Sequence, residues 1–240
     1  MNIAVILAAG KGTRVRHADK PKQYLDIGGK PILCHTVGKF LAWKQIDHIV
    51  VAVHRDWVRY TERLLADQAS SRISVCEGAD NRQESLLKAL LFCQEQLHVP
   101  EDAIIVSHDA ARPFVTEAII NENIQTISND VQAVTTVIPA VDTIIKSTDG
   151  VTLTGVTDRH QMYQVQTPQT FRLAQHIKIY QTLDKMTLSC MTDVSRAFYS
   201  QGLKVALVLG DRKNLKITTD GDLLLAGFFL EWNRHKERIS

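Results

Sequence analysis

Residues 3–7, Ile-Ala-Val-Ile-Leu, form an apolar run without polar alternation, and Ala8-Ala9-Gly10-Lys11-Gly12-Thr13-Arg14 follow at once. Such a run, closed by a glycine-rich turn, reads as a strand buried on both faces, the kind that belongs to a parallel sheet covered by helices. The rest of the chain must then supply helical crossovers. Small residues at Ala8, Ala9, Gly10 and Gly12 also let backbone N–H groups approach an anion, and Arg14 and Lys22 bring charge to neutralise it. Taken alone, the stretch fits two readings: a triphosphate loop, or a strand-to-loop turn with two solvated cations. It is neither a Walker A loop nor a Gly-x-Gly-x-x-Gly fingerprint.

The crossovers are legible. Pro31 suits a first helical position, and Ile32, Leu33, Thr36, Val37, Phe40 and Leu41 recur at helical spacing after it. Strand-like runs at 46–53, 73–77 and 103–108 alternate with helical patterns at 58–68, from Ser85 through Leu91, and around Ile119, Ile120 and Ile124. This alternation predicts an α/β fold with a doubly wound, mostly parallel sheet. Ligands of such sheets bind past the C-terminal strand ends, where Gly78-Ala79-Asp80, Asp109 and Arg112 fall. Glu84 and Lys88 read as an (i, i+4) helical pair, and Trp57 as packing.

The pattern changes after residue 133. A β-branched run at 133–140, then 142–146 and 151–154 around Asp149-Gly150, reads as a β-hairpin. It defines an inserted arm at about 134–165 that a parallel core does not need, and such an arm is expected to pair with a second subunit. Gln166-Thr167-Pro168-Gln169-Thr170-Phe171 reads as a polar stretch before another helix. Thr192-Asp193 opens a helix, 204–209 is a strand, a polar loop carries Lys216, and an amphipathic helix spans 220–233. Without repeat or linker, residues 1–240 read as one domain bearing an arm.

Composition narrows the function. A net charge of +2 is too small to argue for nucleic acid or an anionic membrane as partner. Four scattered cysteines with no CxxC pair argue against zinc and a disulfide framework, and Cys34, Cys76 and Cys93 read as core residues. The N-terminus has no basic region before its short apolar run, which points to a cytoplasmic protein. Arg14, Lys22, Arg112, Arg159 and Lys216 all fall in loops. Cations so placed suit phosphoryl or nucleotidyl transfer, which needs positioning and charge stabilisation more than covalent help. Asp109, at a strand end, is the natural Mg²⁺ carboxylate; the plainer reading is a cap on the following turn. His108 receives no role, and Lys146 reads as a solvated edge charge.

Together, Leu-Ala-Ala-Gly-Lys-Gly-Thr-Arg at 7–14, Pro-Lys-Gln at 21–23, His-Asp-Ala-Ala-Arg-Pro at 108–113, Asp-Thr-Ile at 142–144, Gln-Thr-Pro-Gln-Thr-Phe at 166–171, Thr-Asp at 192–193 and Asn-Leu-Lys-Ile-Thr at 214–218 resemble one family. It is the CTP-dependent cytidylyltransferases of sugar-alcohol phosphates, and the resemblance covers essentially the whole chain. It implies a Rossmann-like nucleotidyltransferase sheet and a homodimer joined through the arm. CTP would be bound by Leu7, Ala8, Ala9, Gly10, Gly12, Thr13, Arg14 and Lys22, and by Gly78, Ala79, Asp80, Arg82 and Ser85 around cytosine. Asp109 would serve Mg²⁺ and the ribose side with Ala110, and Lys216 would touch the α-phosphate. Arg14, Lys22 and Lys216 would be the catalytic charges. Arg112, Thr143, Arg159, Thr167 and Thr192 would hold the polyol phosphate, Arg159 reaching it from the partner's arm.

Two departures stand out. Val15-Arg16 occupies a place where the family often has Gly, and Ala79 stands where it usually has a second Gly. A left-handed backbone at Ala79 would cost about 1 kcal/mol. The family has two close branches, acting on 2-C-methyl-D-erythritol 4-phosphate in isoprenoid synthesis and on ribitol 5-phosphate in teichoic acid and capsule synthesis. Ala111 resembles the first. The stretches at 53–58, 113–116, 159–164 and 214–219 resemble the second, and the balance leans to ribitol 5-phosphate.

Overall fold

In the computed structural model of the protein, residues 1–10, 20–66, 68, 71–183 and 193–239 are described. The strand read first, β1 (Asn2–Ala8), lies inside a seven-stranded sheet. Around it stand β4 (His48–Val53), β5 (Ile73–Glu77), β6 (Ile104–Asp109), β7 (Ala133–Pro139), β10 (Tyr163–Arg172) and β11 (Val205–Leu209), in the order β11-β7-β10-β6-β1-β4-β5. Strand β1 is parallel to both β4 and β6, as its unbroken apolar sequence requires. Its side chains divide by alternation. Ile3, Val5 and Leu7 enter one core, with α3 (Arg82–Glu95), α5 (Leu173–Thr182) and α6 (Val194–Ser200). Ala4, Ile6 and Ala8 enter the other, with α1 (Ile32–Ala42), α2 (Val58–Ala66) and α4 (Glu117–Thr126).

A small two-stranded sheet, β2 (Asp26–Ile27) with β3 (Lys30–Pro31), supports α7 (Asp220–Ile239) through Ile27, Ile32, Phe114, Ile217 and Ala226. No helix among the described residues is long and apolar enough to cross a membrane.

Strand β10 corrects the sequence reading. The polar stretch 166–171, for which the sequence predicted no strand, is the inner half of a ten-residue strand, antiparallel to both β6 and β7. Its polar side chains have partners inside the protein, which offsets their burial. Ser107 donates to the Gln169 carbonyl (3.1 Å), Thr136 to the Pro168 carbonyl (2.7 Å), and Thr170 to Asn123 Oδ1 (3.3 Å). The β7–β10 register shifts between Val165 and Gln169, so Gln166, Thr167 and Pro168 leave the ladder. A bulge tolerates proline and re-aims side chains beside a site.

The arm also differs in detail. Strand β7 belongs to the main sheet as far as Pro139, so the protruding part begins at Ala140 rather than 134 and ends where β10 starts. Its hairpin pairs β8 (Ile145–Lys146) with β9 (Gly155–Val156), further along the chain than the expected 151–154. The Asp149 carboxylate organises the tip, accepting from the Val151 and Thr152 amides at 2.9 and 2.8 Å. Lys88 turns away from the expected helical pairing and meets Glu77 at 2.9 Å.

Two fully buried histidines make this fold acid-sensitive. Burial pushes His108 down to about 4 and His176 to about 3; His176 stacks on Phe171 and has no hydrogen-bond partner among the described residues. The folded state holds both neutral, whereas the unfolded chain takes up their protons near pH 6.5. Their contribution is therefore complete above that pH and is lost as pH falls toward the folded values, by about 2 kcal/mol each at pH 5. Urea unfolding at pH 7 and pH 5 should show this loss, and His176→Phe should remove about half of it. Equal stability at the two pH values would contradict the assignment.

Candidate active site

Asp109 ends β6 and is almost fully buried. Arg82, in the first turn of α3, places Nε 3.1 Å from its Oδ1. Lys216 Nζ lies 2.8 Å from Oδ2, and Arg112 Nε 3.8 Å from the same oxygen. Burial alone would raise the carboxyl pKa; the charges of Arg82, Lys216 and Arg112 outweigh it and hold the group well below the usual carboxylate range. Three cations around one carboxylate leave an excess of positive charge, which suits an anionic ligand.

Two cavities meet at this cluster. The first, about 230 Å³, is bounded by Leu7, Ala8, Ala9 and Gly10 on one side and by Ala79, Asp80, Arg82 and Ser85 on the other. Lys22, Asp109, Ala110 and Lys216 are also part of its wall. The second, about 240 Å³, shares Arg82, Asp109 and Lys216 with the first and adds Arg112, Gln166, Thr167, Gln169 and Asp193. Gly12, Thr13, Arg14, Val15, Arg16 and Thr192 lie outside the described residues. Thr143 and Arg159 are exposed on the arm and line neither cavity; Arg159 Nη1 donates to the Val141 carbonyl at 3.0 Å.

The loop after β5 is built by contact. A Cβ on Gly78 would stand 2.7 Å from that of Ala9 and 3.3 Å from the Val53 carbonyl, so only glycine fits. Ala79 is not in the left-handed region, where His98 is the only non-glycine residue among those described, so the departure at Ala79 carries no backbone strain. The Ser85 hydroxyl accepts from the Ala79 amide (2.9 Å) and lies 2.7 Å from the Asn81 carbonyl as donor. Its single proton is engaged in holding the loop, so the backbone groups of the loop, rather than this hydroxyl as donor, are left to meet a ligand.

Thr167 is constrained in the same way. His108 Nε2 lies 3.0 Å from the Arg112 carbonyl and must donate, so neutral His108 presents Nδ1 as acceptor to Thr167 Oγ1 at 3.0 Å. Thr167 also accepts from the Asp109 amide at 3.1 Å. With its proton committed, the Thr167 hydroxyl can only accept from a ligand, which suits a donor hydroxyl better than an anionic oxygen.

Several residues that hold the site had no role in the sequence reading. Gln23 is buried and donates to the Ala8 and Gly10 carbonyls at 2.5 and 3.1 Å, bracing the first loop. Asn214 is wholly buried and donates to Gln166 Oε1 (3.1 Å) and the Thr167 carbonyl (2.9 Å), while Arg112 Nη1 donates to the Asn214 carbonyl (2.7 Å). On the other side of Lys216, Asp222 accepts from the Thr218 and Thr219 amides at 2.8 Å each, and Thr219 accepts from the Asp222 amide, a capping box that opens α7. Lys216 is thus moored on both flanks. For Gln23 and Asn214 the available signal was their place inside the quoted motifs; Asp222 had none.

A doubly wound sheet with a cationic seam beyond its strand ends is built to bind an anionic ligand, and the family it belongs to makes it a nucleotidyltransferase. Residues 2–232 match the IspD family, 2-C-methyl-D-erythritol 4-phosphate cytidylyltransferase, and the chain belongs to it. Among similar proteins, the ribitol-5-phosphate cytidylyltransferase of Streptococcus pneumoniae is 40% identical over 96% of this chain and 99% of its own length. That of Lactiplantibacillus plantarum is 38% identical with the same coverage. Among solved structures, the 4-diphosphocytidyl-2C-methyl-D-erythritol synthase of Anaerococcus prevotii aligns with a TM-score of 0.80 at 27% identity, over 96% of each chain. The 2-C-methyl-D-erythritol 4-phosphate cytidylyltransferase of Francisella tularensis aligns at 0.76 and 29%, over 95% of this chain and 99% of that one.

The mooring of Lys216 is testable. Asn214→Ala should lower kcat by about 10- to 100-fold, since ångström-scale misplacement costs that much, with little change in KM for CTP. Steady-state kinetics with a melting curve will check it; an unchanged kcat would remove Asn214 from this role.

Proposed function

We propose that the protein transfers the cytidylyl group of CTP to ribitol 5-phosphate, giving CDP-ribitol and pyrophosphate. The observation that carries this reading is the pair of cavities sharing Arg82, Asp109 and Lys216, which lets two anionic substrates meet at one seam. Ribitol 5-phosphate is favoured over methylerythritol 4-phosphate by the relatives named for it at 38–40% identity, against 27–29% for the methylerythritol enzymes of known structure.

In the transfer, an oxygen of the polyol phosphate attacks the α-phosphorus of CTP. The bond from that phosphorus to the oxygen bridging to the β-phosphate breaks, and pyrophosphate leaves with the electron pair. The attacking phosphate is already an anion at neutral pH, so no general base is required. Lys216, at the seam, stabilises charge on the α-phosphoryl oxygens. Arg14 and Lys22 neutralise the triphosphate, and Arg112 with Thr167 orients the acceptor.

Mg²⁺ belongs to the proposal. No group of three His, Cys, Asp or Glu among the described residues could cage a metal. Mg²⁺ is held by one or two carboxylates together with substrate phosphates. Asp109 is the carboxylate of the seam, and because its two oxygens face Arg82 and Lys216 at 3.1 and 2.8 Å, it would take the ion only in exchange for one of those contacts. When bound there, the ion supplies further neutralisation of phosphate charge.

The arm exposes Val141, Ile145, Val151, Leu153 and Val156, which supports a homodimer through it, with Arg159 serving the partner's site. A cytoplasmic enzyme feeding teichoic acid or capsule synthesis would fit this reaction. Light scattering should give twice the 26.9 kDa of one chain, and a monomer at micromolar concentration would refute the dimer.

Pyrophosphate release tests the reaction itself. With CTP and Mg²⁺, kcat/KM should be at least about 10-fold higher for ribitol 5-phosphate than for methylerythritol 4-phosphate. It should collapse with chelator and be far lower with ATP, GTP or UTP. Lys216→Ala should lower kcat by about 10²- to 10³-fold. The opposite acceptor preference would overturn the choice of ribitol, and silence with both acceptors would overturn the transferase reading.

A further inference from the structure

One buried side chain touches this machinery without a part in the mechanism above. Gln169, on β10, is 1% exposed. Its Oε1 accepts from Arg82 Nη2 at 3.3 Å and from the Val194 amide at 3.3 Å. Its Nε2 donates to Thr135 Oγ1 and to Ser195 Oγ, each at 3.1 Å. A primary amide offers two donors and two acceptor positions, and here all four are used.

The partners stand on opposite sides of the site. Arg82 belongs to the wall between the two cavities and is fixed by Asp109 as well. Val194 and Ser195 form the first turn of α6, whose N-cap Asp193 lines the acceptor cavity and accepts from the Arg196 amide at 3.0 Å. Thr135, on β7, ties the same amide to the sheet. Asp109 and Gln169 thus each hold one nitrogen of the Arg82 guanidinium. The third nitrogen, Nη1, is buried and has no partner among the described residues. An unmet guanidinium donor is costly, and its natural complement is an anionic oxygen brought by a ligand.

We propose that Gln169 is a positioning residue for the transfer step. It aims the Arg82 guanidinium at the seam and sets its distance from the Asp193 cap of α6, so that the nucleotide side and the acceptor side keep one geometry. Gln169 acts through Arg82 and α6. No apolar residue can replace it without releasing both, and asparagine, shorter by one methylene, cannot span from β10 to Arg82 and α6 together. The inference rests on the nucleotidyl transfer proposed above.

The test is steady-state kinetics of the full chain carrying Gln169→Met or Gln169→Asn, alone and combined with Arg82→Ala. Each single substitution at Gln169 should lower kcat at saturation with both substrates by about 10- to 100-fold, with KM for CTP raised less than about 3-fold. In the Arg82→Ala background the same substitution should cost at least about 3-fold less than it does alone, because the Arg82 part of its role is gone and only the α6 part remains. A purely structural role would lower the fraction of active enzyme and the melting temperature while leaving kcat per active site unchanged. Wild-type kcat in a folded variant would overturn the proposal, as would losses that multiply with Arg82→Ala. Should Gln169→Met fail to fold, Gln169→Asn, which retains a buried amide, decides alone. Failure of the transferase reading would look different: the wild-type protein itself would release no pyrophosphate with either polyol phosphate.

Discussion

The structure depends on one buried carboxylate. Asp109 stands at the end of a parallel strand, and Arg82, Arg112 and Lys216 reach it from three separate segments of chain. In a low-dielectric site an unpaired carboxylate would take up a proton; three nearby cations keep it ionised. The arrangement constrains both sides. The cations cannot leave without exposing a buried charge, and the carboxylate neutralises only part of their charge. What remains is positive potential directed at the seam of two cavities, which favours anionic ligands there.

Strand β10 holds these parts in register. An antiparallel strand between two parallel groups lies across the middle of the sheet, and its bulge turns Gln166 and Thr167 out of the ladder toward the site. Gln166 binds the loop of Lys216 through Asn214 and the Asp211 carbonyl, Thr167 binds Asp109 and His108, and Gln169 binds Arg82 and α6. A parallel sheet alone would place charged loops at its strand ends without fixing their mutual distances. The polar edge of β10 does that with hydrogen bonds buried from water, which are rigid because every partner would be costly to leave unmet.

The same chain carries the protruding hairpin, where apolar side chains are exposed and Asp149 organises the tip with local bonds. The contrast is physical. Site-bearing loops are fixed by long-range contacts to the sheet, whereas the arm is held by its own short-range bonds.

Much of this was legible in the residues. The apolar run of β1, the alternating strand and helix patterns, and the clustering of Gly78, Asp109, Arg112 and Lys216 at strand ends follow from periodicity and chemistry along the chain, which are local properties. Strand β10 was not legible, because Gln166, Thr167, Gln169 and Thr170 are polar residues whose partners lie 25 to 87 positions away, and pattern alone gives such a stretch no strand. For the same reason the pairing of Lys88 with Glu77 displaced the helical pair with Glu84. The sequence by itself determined the fold class and the kinds of charge that the site would contain. Only the tertiary structure decided which cation faces which carboxylate oxygen, that the protons of Ser85 and Thr167 are already committed, and that Gln169 joins the two sides. Those are matters of distance between segments far apart in the chain, and distance is set by packing.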